Sequence, residues 1–481
     1  MFLGIDIGTS AVKAVIVGED GSVAHEASAP LEVQRPEPLH SEQDPDDWWS
    51  AANQAVLALP SEARRMVRSI GLAGQMHGAT LLDSSDRPLR PAILWNDGRS
   101  EAECAELEAA EPQSRAITAN MAFAGFTAPK LKWVAKHEPE VFAKVATVLL
   151  PKDYVRLQMT GGKATDVSDA SGTLWLDVAN RRWSAAMLAA TGLEERHMPH
   201  LHEGVEVTGT LRNEVARGWG MDEVPVAAGG GDNAAAAVGA GVVADGDAFI
   251  SLGTSGVSFV ATDSLRADAD RGLHAFCHAI PGRWHQMSVM LSAAASLDWA
   301  ANLLCMDVVE LCENARLAEA RATPIFLPYL TGERTPHADS HAKGVFFGMT
   351  AETGPAELAR AVLDGVAMGL RDGVDVILAA GSQVESFTVV GGGSRSAYWG
   401  RLIASALERP LVYRESGAVG PALGAGRLAQ VASGAGTLQG SCAPPPVTDV
   451  VEPEPELTDY FAGRQPRFRA LYPVLQRSFR D

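Results

Sequence analysis

The chain has 481 residues, 46% of them hydrophobic and 21% charged, and its formal net charge at pH 7 is −19. The length exceeds what one hydrophobic core usually supports, and the composition excludes a disordered or fibrous chain. The negative charge, without a basic block, argues against nucleic acid and anionic membranes as partners. Five cysteines without metal-ligand spacing, and no apolar run of ~18 residues, favour a cytoplasmic protein with reduced thiols.

The first half of the chain is predicted to begin with a three-stranded meander. Apolar runs separated by Gly-Thr-Ser and Glu-Asp-Gly-Ser turns predict its strands over 2–7, 11–17 and 23–27. Asp44, an N-cap residue ahead of Pro45, predicts a helix over 48–59. Four further strands and a helix of small residues complete this half, over 69–73, 80–82, 89–95, 224–228 and 234–241.

The second half is predicted to alternate strands and helices in the same way. The strands are expected over 248–252, 257–261 and 387–390, and the helices over 288–304, over 355–378, and from Ser396 and Gly420 onward. Thr353 is expected to cap the long helix that follows it. A proline-rich, acidic connector over 442–456 leads to a terminal helix.

One short sequence occurs twice, as Ile-Asp-Ile-Gly-Thr-Ser at 5–10 and as Ile-Ser-Leu-Gly-Thr-Ser at 250–255. Each copy joins two predicted strands, so each predicts a β-hairpin whose turn offers backbone N–H groups and hydroxyls to phosphate oxygens. Only the first copy has a carboxylate, Asp6, where the second has Ser251. The pair therefore predicts two phosphate cradles that face each other across a cleft and hold a metal-bound polyphosphate.

Two aspartates are the candidates for the chemistry. Asp6 precedes the first Gly-Thr-Ser turn, where a carboxylate either caps the turn or helps to hold a hydrated Mg²⁺ beside phosphates. Asp232 follows three glycines at the start of a predicted helix, where it is either an N-cap or a general base for a sugar hydroxyl. Lys13, in the strand after the first turn, either reaches a phosphate or is a plain exposed lysine.

Several other groups of residues are candidate pocket walls. Met76-His77 and Trp95-Asn96-Asp97 combine donors, acceptors and apolar surface, as a polyol pocket requires, although His77 alone is also typical of a satisfied loop histidine. The glycines at 391–393 allow a base or ribose to lie against the backbone. Two charged clusters, at 152–154 and 333–336, are interpreted as pocket-wall or domain-packing elements.

These motifs together resemble the FGGY carbohydrate kinases, which share the fold of actin, Hsp70 and hexokinase, and within them the members that phosphorylate xylulose. The resemblance covers nearly the whole length of the protein. The stretches that carry it are 4–10, 74–78, 93–99, 229–233, 251–255, 327–336 and 390–395.

The resemblance implies an α/β protein with two ribonuclease-H-like domains around a central cleft. The N-terminal domain, 1–241, would bind the sugar, and the C-terminal domain, 242–481, would bind ATP, with the terminal helix a candidate for packing back on the first domain. The implied acceptor is D-xylulose, the donor is ATP with Mg²⁺, and a homodimer in the cytoplasm is expected. Two alternatives stay open: another FGGY kinase acting on ribulose, xylitol, gluconate or glycerol, and an actin- or Hsp70-like ATPase acting on protein.

The resemblance also implies a role for each motif. Asp232 matches the proton acceptor and Asp6 the metal-associated acid, and both would hold the metal through water. The residues that match the sugar pocket, together with Asp232, are Met76, His77, Trp95, Asn96, Asp97 and Asn233. Those implied to bind phosphate are Gly8, Thr9, Ser10, Lys13, Gly253, Thr254 and Ser255. The loop implied to bind adenosine consists of Gly391, Gly392, Gly393, Ser394 and Arg395.

Overall fold

The computed structural model describes residues 1–391, 396–415 and 420–480 of the protein. The strands of its first half are β1 (Phe2–Ile7), β2 (Ala11–Val17), β3 (Val23–Pro30), β4 (Glu42–Gln43), β5 (Ile70–Gly74), β6 (Thr80–Leu82), β7 (Ala92–Ile93), β8 (Thr147–Leu149), β9 (Ala164–Asp166), β10 (Leu176–Asp177), β11 (Arg182–Trp183), β12 (His200–His202), β13 (Val207–Thr210), β14 (Pro225–Ala227) and β15 (Gly230–Gly231). The helices of this half are α1 (Pro45–Ala58), α2 (Ser61–Arg65), α3 (Glu101–Ala110), α4 (Ser114–Thr118), α5 (Thr127–His137), α6 (Pro139–Phe142), α7 (Pro151–Thr160), α8 (Val167–Ser171), α9 (Ala185–Ala190), α10 (Asn213–Trp219) and α11 (Asp232–Ala240).

The second half continues the alternation of strands and helices. Its strands are β16 (Ala248–Leu252), β17 (Gly256–Thr262), β18 (His274–Cys277), β19 (Trp284–Met290), β20 (Ile325–Leu327), β21 (Val345–Phe347), β22 (Phe387–Val390), β23 (Leu411–Arg414) and β24 (Val447–Val451). Its helices are α12 (Ala294–Leu303), α13 (Val308–Ala315), α14 (Pro355–Ala379), α15 (Ala397–Leu407), α16 (Gly420–Ala432), α17 (Leu438–Ser441) and α18 (Pro455–Leu475). Within the described ranges, no helix is long and apolar enough to cross a membrane.

Two seven-stranded sheets form the framework, and the same arrangement lies at the centre of both. The first follows the order β13-β14-β5-β1-β2-β3, with β15 also on β5, and the second the order β18-β19-β17-β16-β22-β23-β24. β1 pairs antiparallel with β2 and parallel with β5, just as β16 pairs antiparallel with β17 and parallel with β22. Each copy of the repeated sequence therefore ends a central strand, and both predicted hairpins are confirmed.

Helix α16 comes from the second half of the sequence but packs on the first sheet. A Cβ on Gly4 of β1 would lie 1.9 Å from the Ala422 carbonyl oxygen, and a Cβ on Gly424 would lie 1.8 Å from the Ala235 carbonyl oxygen of α11. Side chains cannot fit at such distances, so glycine is required at both positions. Backbone contact through α11 and α16 thus joins the two halves.

The terminal helix α18 packs within the second half and not on the first domain, the alternative that the resemblance left open. Its aromatic residues Phe461 and Phe468 are buried in the second core. Gln465 Nε2 donates to Asp372 Oδ1 (2.7 Å) and to the Met368 carbonyl (3.0 Å), both on α14. The apolar stripe of α18 is therefore covered by α14 and α15.

The structure corrects three local predictions. Residues 284–290 form β19, which pairs antiparallel with β17, so the helix predicted to begin at 288 begins only at Ala294. Gly354, not Thr353, is the N-cap of α14, because Pro355 takes the first helical position and the Glu357 carboxylate accepts the Gly354 N–H (2.9 Å). The connector at 442–456 contains the edge strand β24.

Candidate active site

Asp6 lies on β1, two residues before the first turn, and faces Lys13 across the hairpin register. Burial, and secondly the charge of nearby Asp232, raise the pKa of Asp6 to about 7, and Lys13 opposes this rise. Asp6 Oδ1 is buried and has no hydrogen-bond partner within the described part of the protein. A carboxylate oxygen of this kind fits a ligand that the protein itself does not supply, such as a hydrated cation.

The glycines ahead of Asp232 allow the backbone to pass close to β5. Gly229 has a φ of 78°, and a Cβ there would lie 1.8 Å from the Leu72 carbonyl oxygen. Asp232 then opens α11, and its Oδ1 accepts hydrogen bonds from Asn233 N (2.7 Å) and Asn233 Nδ2 (2.9 Å). Burial raises the pKa of Asp232 to about 6 against these two bonds. A carboxylate with a pKa close to neutrality suits general-base chemistry.

The first Gly-Thr-Ser turn is tied to the predicted sugar loops by side-chain hydrogen bonds. Thr9 Oγ1 donates to Gln75 Oε1 (3.0 Å) and accepts from Trp95 Nε1 (3.0 Å). Gln75 Nε2 donates to Gln43 Oε1 (2.9 Å), and Gln43 Nε2 donates to the Thr9 carbonyl (2.7 Å). Ser10 is exposed at the tip of the turn. Sequence reasoning missed Gln43, because a lone glutamine in a two-residue strand carries no recognisable signal.

The glycine N–H of each turn is used within its own hairpin. Gly8 N donates to the Ala11 carbonyl (3.1 Å), and Gly253 N donates to the Ser255 carbonyl (3.1 Å). Because the Thr9 hydroxyl already donates to Gln75, the backbone N–H groups of the Thr and Ser residues and the exposed Ser10 hydroxyl are better candidates for phosphate donors. The phosphate-binding role of Gly8 and Gly253 stays a prediction.

The second turn borders a cavity of about 550 Å³. The carbonyls of Gly253 and Thr254 accept hydrogen bonds from Ala294 N (3.0 Å) and Ala293 N (2.9 Å) at the start of α12. Residues of α12, α13 and α15 form the remaining walls. The volume and the mixed lining are typical of a small-molecule site.

Part of the predicted adenosine loop can be placed beside this cavity. Gly391 follows β22 with a φ of 91°, and a Cβ there would lie 3.1 Å from the Leu252 carbonyl oxygen. Leu252 and Ser396, the N-cap of α15, both line the cavity. The other predicted residues of this loop lie outside the described residues: Gly392, Gly393, Ser394 and Arg395.

Met76 and His77 lie between two glycines of the first half. A Cβ on Gly231 would be 3.1 Å from Met76 Sδ, and a Cβ on Gly172 would be 2.6 Å from His77 Nδ1. His77 Nδ1 donates to the Gly172 carbonyl (2.7 Å), and because a carbonyl only accepts, His77 Nε2 is left as an acceptor. Burial, and then the charge of Lys130, lower the pKa of His77 to about 3. The neutral ring can therefore accept a hydrogen bond from a sugar hydroxyl.

The three residues of the Trp-Asn-Asp motif have different surroundings. Trp95 and Asn96 are exposed, whereas the exposed fraction of Asp97 is only 3%. Asp97 Oδ2 accepts from Ser41 N (2.6 Å), and its two oxygens accept from Arg99 Nε (2.9 Å) and Nη2 (2.7 Å). Because its carboxylate is used inside the protein, Asp97 can support the pocket only by fixing the loop that presents Trp95 and Asn96.

A buried charge cluster lies beneath the glycine turn that carries Asp232. Lys152 Nζ lies within 3.0 Å of three buried carboxylates, those of Asp153, Asp166 and Asp169. Ser168 Oγ accepts the Gly231 N–H (3.1 Å) and donates to Asp166. The cluster at 152–154 thus has a packing role, and its partners at 166–169 were missed because nothing in the sequence links them to it.

A metal ion in this site would be held mainly by water and substrate. Among the residues that the structure describes, no three His, Cys, Asp or Glu side chains form a metal-binding group. The buried, unpartnered Oδ1 of Asp6, with Asp232 nearby, fits a hydrated Mg²⁺ that also binds phosphates, since Mg²⁺ usually keeps several waters.

Comparisons with known proteins agree with this architecture. The N-terminal domain of the FGGY family of carbohydrate kinases matches residues 1–239, and the C-terminal domain of that family matches residues 248–433. The xylulose kinases of Escherichia coli (strain K12) and Klebsiella pneumoniae are 53% and 51% identical to this protein, with 99% of both sequences covered in each comparison. The crystal structure of a xyloylose kinase from Brucella ovis is similar with a TM-score of 0.96 at 47% identity, also with 99% of both sequences covered, which confirms the predicted fold class. The chain therefore belongs to the FGGY family of carbohydrate kinases.

Proposed function

We propose that this carbohydrate kinase transfers the γ-phosphoryl group of ATP to the C5 hydroxyl of D-xylulose, giving D-xylulose 5-phosphate and ADP. The observation that carries the proposal is the pairing of Asp6 and Asp232, whose charges interact, with Met76 packed against Gly231 next to Asp232. The relatives named xylulose kinases support the choice of sugar.

We assign sugar binding to residues 1–241 and ATP binding to residues 242–481. The loops that carry Met76, His77 and Trp95 follow strands β5 and β7 of the first half. Among the residues that the structure describes, those that line the cavity of about 550 Å³ all belong to the second half. This division supports a sugar on one side of the cleft and a nucleotide on the other.

Asp232 accepts the proton of the C5 hydroxyl as that oxygen attacks the γ-phosphorus, and the bond from this phosphorus to the β,γ-bridging oxygen breaks. With a pKa of about 6, Asp232 is ionised at neutral pH, as a general base must be. The two Gly-Thr-Ser turns bind phosphate oxygens, and Lys13, opposite Asp6 in the hairpin, adds a positive charge. Asp6 and Asp232 would hold hydrated Mg²⁺, which when bound neutralises phosphate charge. Closure of the two halves excludes water, the competing nucleophile.

The chemistry of the pocket supports a polyhydroxylated acceptor. His77 offers a neutral nitrogen acceptor, and Asn233 and Asn96 offer amide groups close to Asp232 and Trp95 in the sequence. Other FGGY substrates, namely ribulose, xylitol, gluconate and glycerol, compete with D-xylulose for this assignment. A protein client of the actin or Hsp70 type would have no use for a proton acceptor in this pocket.

A coupled ADP-release assay over a panel of ketoses and polyols tests the proposal. We expect D-xylulose to stimulate ADP release most, with slow ATP hydrolysis when no sugar is present. Asp232→Ala should lower the stimulated rate on the order of 10²- to 10⁴-fold and leave ATP binding nearly unchanged. Stimulation by a protein and by no sugar would overturn the kinase assignment, and a preference for another sugar would overturn only the choice of D-xylulose.

We also propose a cytoplasmic location and a homodimer. All five cysteines are free thiols, including the exposed Cys305, which supports a reducing compartment. Sedimentation of the full-length protein tests the dimer, because a monomer at micromolar concentration would contradict it.

A further inference from the structure

Arg334 is presented by a firmly anchored loop between β20 and β21. The preceding Glu333 is buried, and its Oε1 accepts from Leu291 N (3.0 Å) and from Arg334 N (2.8 Å). Thr335 Oγ1 donates to the Gly272 carbonyl (2.9 Å) and accepts from Val289 N (3.1 Å). The Glu333 carboxylate therefore binds backbone, and the loop holds the Arg334 side chain in a fixed place.

The groups in direct contact with the Arg334 guanidinium are neutral, and the charges of Glu333 and Glu101 act on it from farther away. It lies over the Phe123 ring at 4.8 Å, and its Nη1 lies 3.5 Å from His274 Nε2. His274 Nδ1 donates to Asn120 Oδ1 (3.1 Å), because Asn120 Nδ2 already donates to the Ala275 carbonyl. Within the described ranges, no carboxylate oxygen lies within 4.0 Å of this guanidinium, which makes no salt bridge. Burial lowers the pKa of Arg334, yet an arginine keeps its charge.

The Arg334 guanidinium lies close to the two loops proposed to bind the sugar, which carry His77 and Trp95. A Cβ on Gly125 would be 2.4 Å from the Trp95 carbonyl oxygen and 4.0 Å from Arg334 Nη2. The Phe126 ring contacts the His77 ring, with centroids 4.7 Å apart, and lies 6.0 Å from the Phe123 ring beneath Arg334. The second half of the protein thus contributes a cation to the wall shared by Trp95 and His77.

A half-buried guanidinium with no anion in direct contact is costly unless its donors are satisfied. Arginine carries five N–H donors and no acceptor, and Arg334 uses one of them weakly on His274. A carbonyl oxygen, which only accepts, suits such a group. A hydroxyl oxygen suits it less well, because the hydroxyl proton would still need an acceptor.

We infer that Arg334 is a specificity-determining residue that donates hydrogen bonds to the C2 carbonyl oxygen of D-xylulose in its acyclic form. The inference rests on the proposed function, since Asp232 fixes the C5 end of the sugar. Met76 contacts Gly231, next to Asp232, and His77 is the following residue. The C1–C2 end of an extended pentulose then reaches the wall of His77, Trp95 and Arg334.

The test compares Arg334→Met with wild type on three sugars. Loss of a charged donor should lower kcat/KM for D-xylulose on the order of 10- to 100-fold, and equally for 1-deoxy-D-xylulose, which keeps the carbonyl. The inhibition constant of xylitol, which has no carbonyl, should change little. Arg334→Lys keeps the charge but loses the planar guanidinium, so its kcat/KM for D-xylulose should lie between those of wild type and Arg334→Met. This second variant keeps the test available if Arg334→Met does not fold.

Arg181→Met is the matched control. Arg181 also joins the two halves, since its Nη1 donates to the Arg283 carbonyl (2.9 Å) while it pairs with Glu203, and its replacement should leave the ratio between sugars unchanged. If Arg334→Met lost affinity for D-xylulose and xylitol equally, Arg334 would have only a packing role. If Arg334→Met stayed active on 1-deoxy-D-xylulose alone, the contact of Arg334 would be with the C1 hydroxyl. Both outcomes overturn the inference. Wild type inactive on every ketose would instead refute the proposed function.

Discussion

Replacing Asp232 with Asn separates the catalytic role of this carboxylate from its effect on stability. Asn has nearly the same shape, and its oxygen can still accept the Asn233 N–H, which lies 2.7 Å from Asp232 Oδ1 in the native site. It cannot take a proton at any working pH. We therefore expect Asp232→Asn to lower the sugar-dependent rate on the order of 10²- to 10⁴-fold, as for other lost general bases.

The raised pKa of Asp232 sets the expected change in stability. Burial moves this pKa from 3.8 to about 6, so the protonated group favours the folded state at low pH, and that contribution is lost as the pH rises through about 6. This pKa shift corresponds to at most ~3 kcal/mol in the free energy of unfolding. The wild-type protein should lose ~1.4 kcal/mol of that stability between about pH 5 and pH 8. The variant does not ionise, so its stability relative to wild type should rise by that amount. The pKa of Asp6 should also fall, because the Asp232 charge helps to raise it.

The measurements are ADP release with D-xylulose, ATP binding by calorimetry, and urea unfolding at pH 5 and pH 8. Asp222→Asn, at an exposed aspartate of the same half, is the matched control and should change none of them. If Asp232→Asn kept most of the sugar-dependent rate, the assignment of the base would be wrong. If the difference in free energy of unfolding between Asp232→Asn and wild type did not grow from pH 5 to pH 8, burial would not be the cause of the raised Asp232 pKa.

Three further outcomes are expected. The kcat/KM for the sugar should fall as the pH drops through about 7 to about 6, because Asp6 and Asp232 take up protons there, and a flat pH–rate profile would contradict this. Gly424→Ala should lower the free energy of unfolding by ~1–3 kcal/mol or more, since the added Cβ would lie 1.8 Å from a carbonyl oxygen, whereas Gly463→Ala, with nothing within 4 Å, should not. Lys152→Met leaves Asp166 and Asp169 without their cation and Asp153 with Arg156 alone at 3.7 Å. This change should cost ~3–5 kcal/mol, so an unchanged melting temperature would argue against the cluster.

The parts of the fold that the sequence predicted well depend on local signals. β1 and β2 follow from apolar runs on either side of a glycine turn, and α1 begins where Asp44 accepts the Asp46 N–H (3.0 Å). The prediction failed at the start of the helix expected over 288–304, because β19 extends to Met290 through pairing with β17 and α12 begins only at Ala294. That boundary depends on residues distant in the sequence, which no local pattern reveals.

The candidate site shows the same division. Asp6 and Asp232 could be proposed from the sequence because each stands beside a turn whose chemistry is local. The burial of Asp97 against Ser41 and Arg99 was not, since Ser41 reaches it from another loop. The position of Arg334 against Phe123 joins the two halves of the protein, and the order of residues gave no indication of it.

The two copies of the repeated turn have the same residues but different surroundings. In the first, the Thr9 hydroxyl binds Gln75 and Trp95 of the sugar loops. In the second, the carbonyls of Gly253 and Thr254 accept hydrogen bonds from the start of α12, which lines the cavity of about 550 Å³. The proposed sugar site therefore lies beside one hairpin and the proposed nucleotide site beside the other. Because α11 and α16 touch through backbone at Gly424, their contact cannot shorten, and we expect the closure proposed above to be a rotation of the two sheets about this contact.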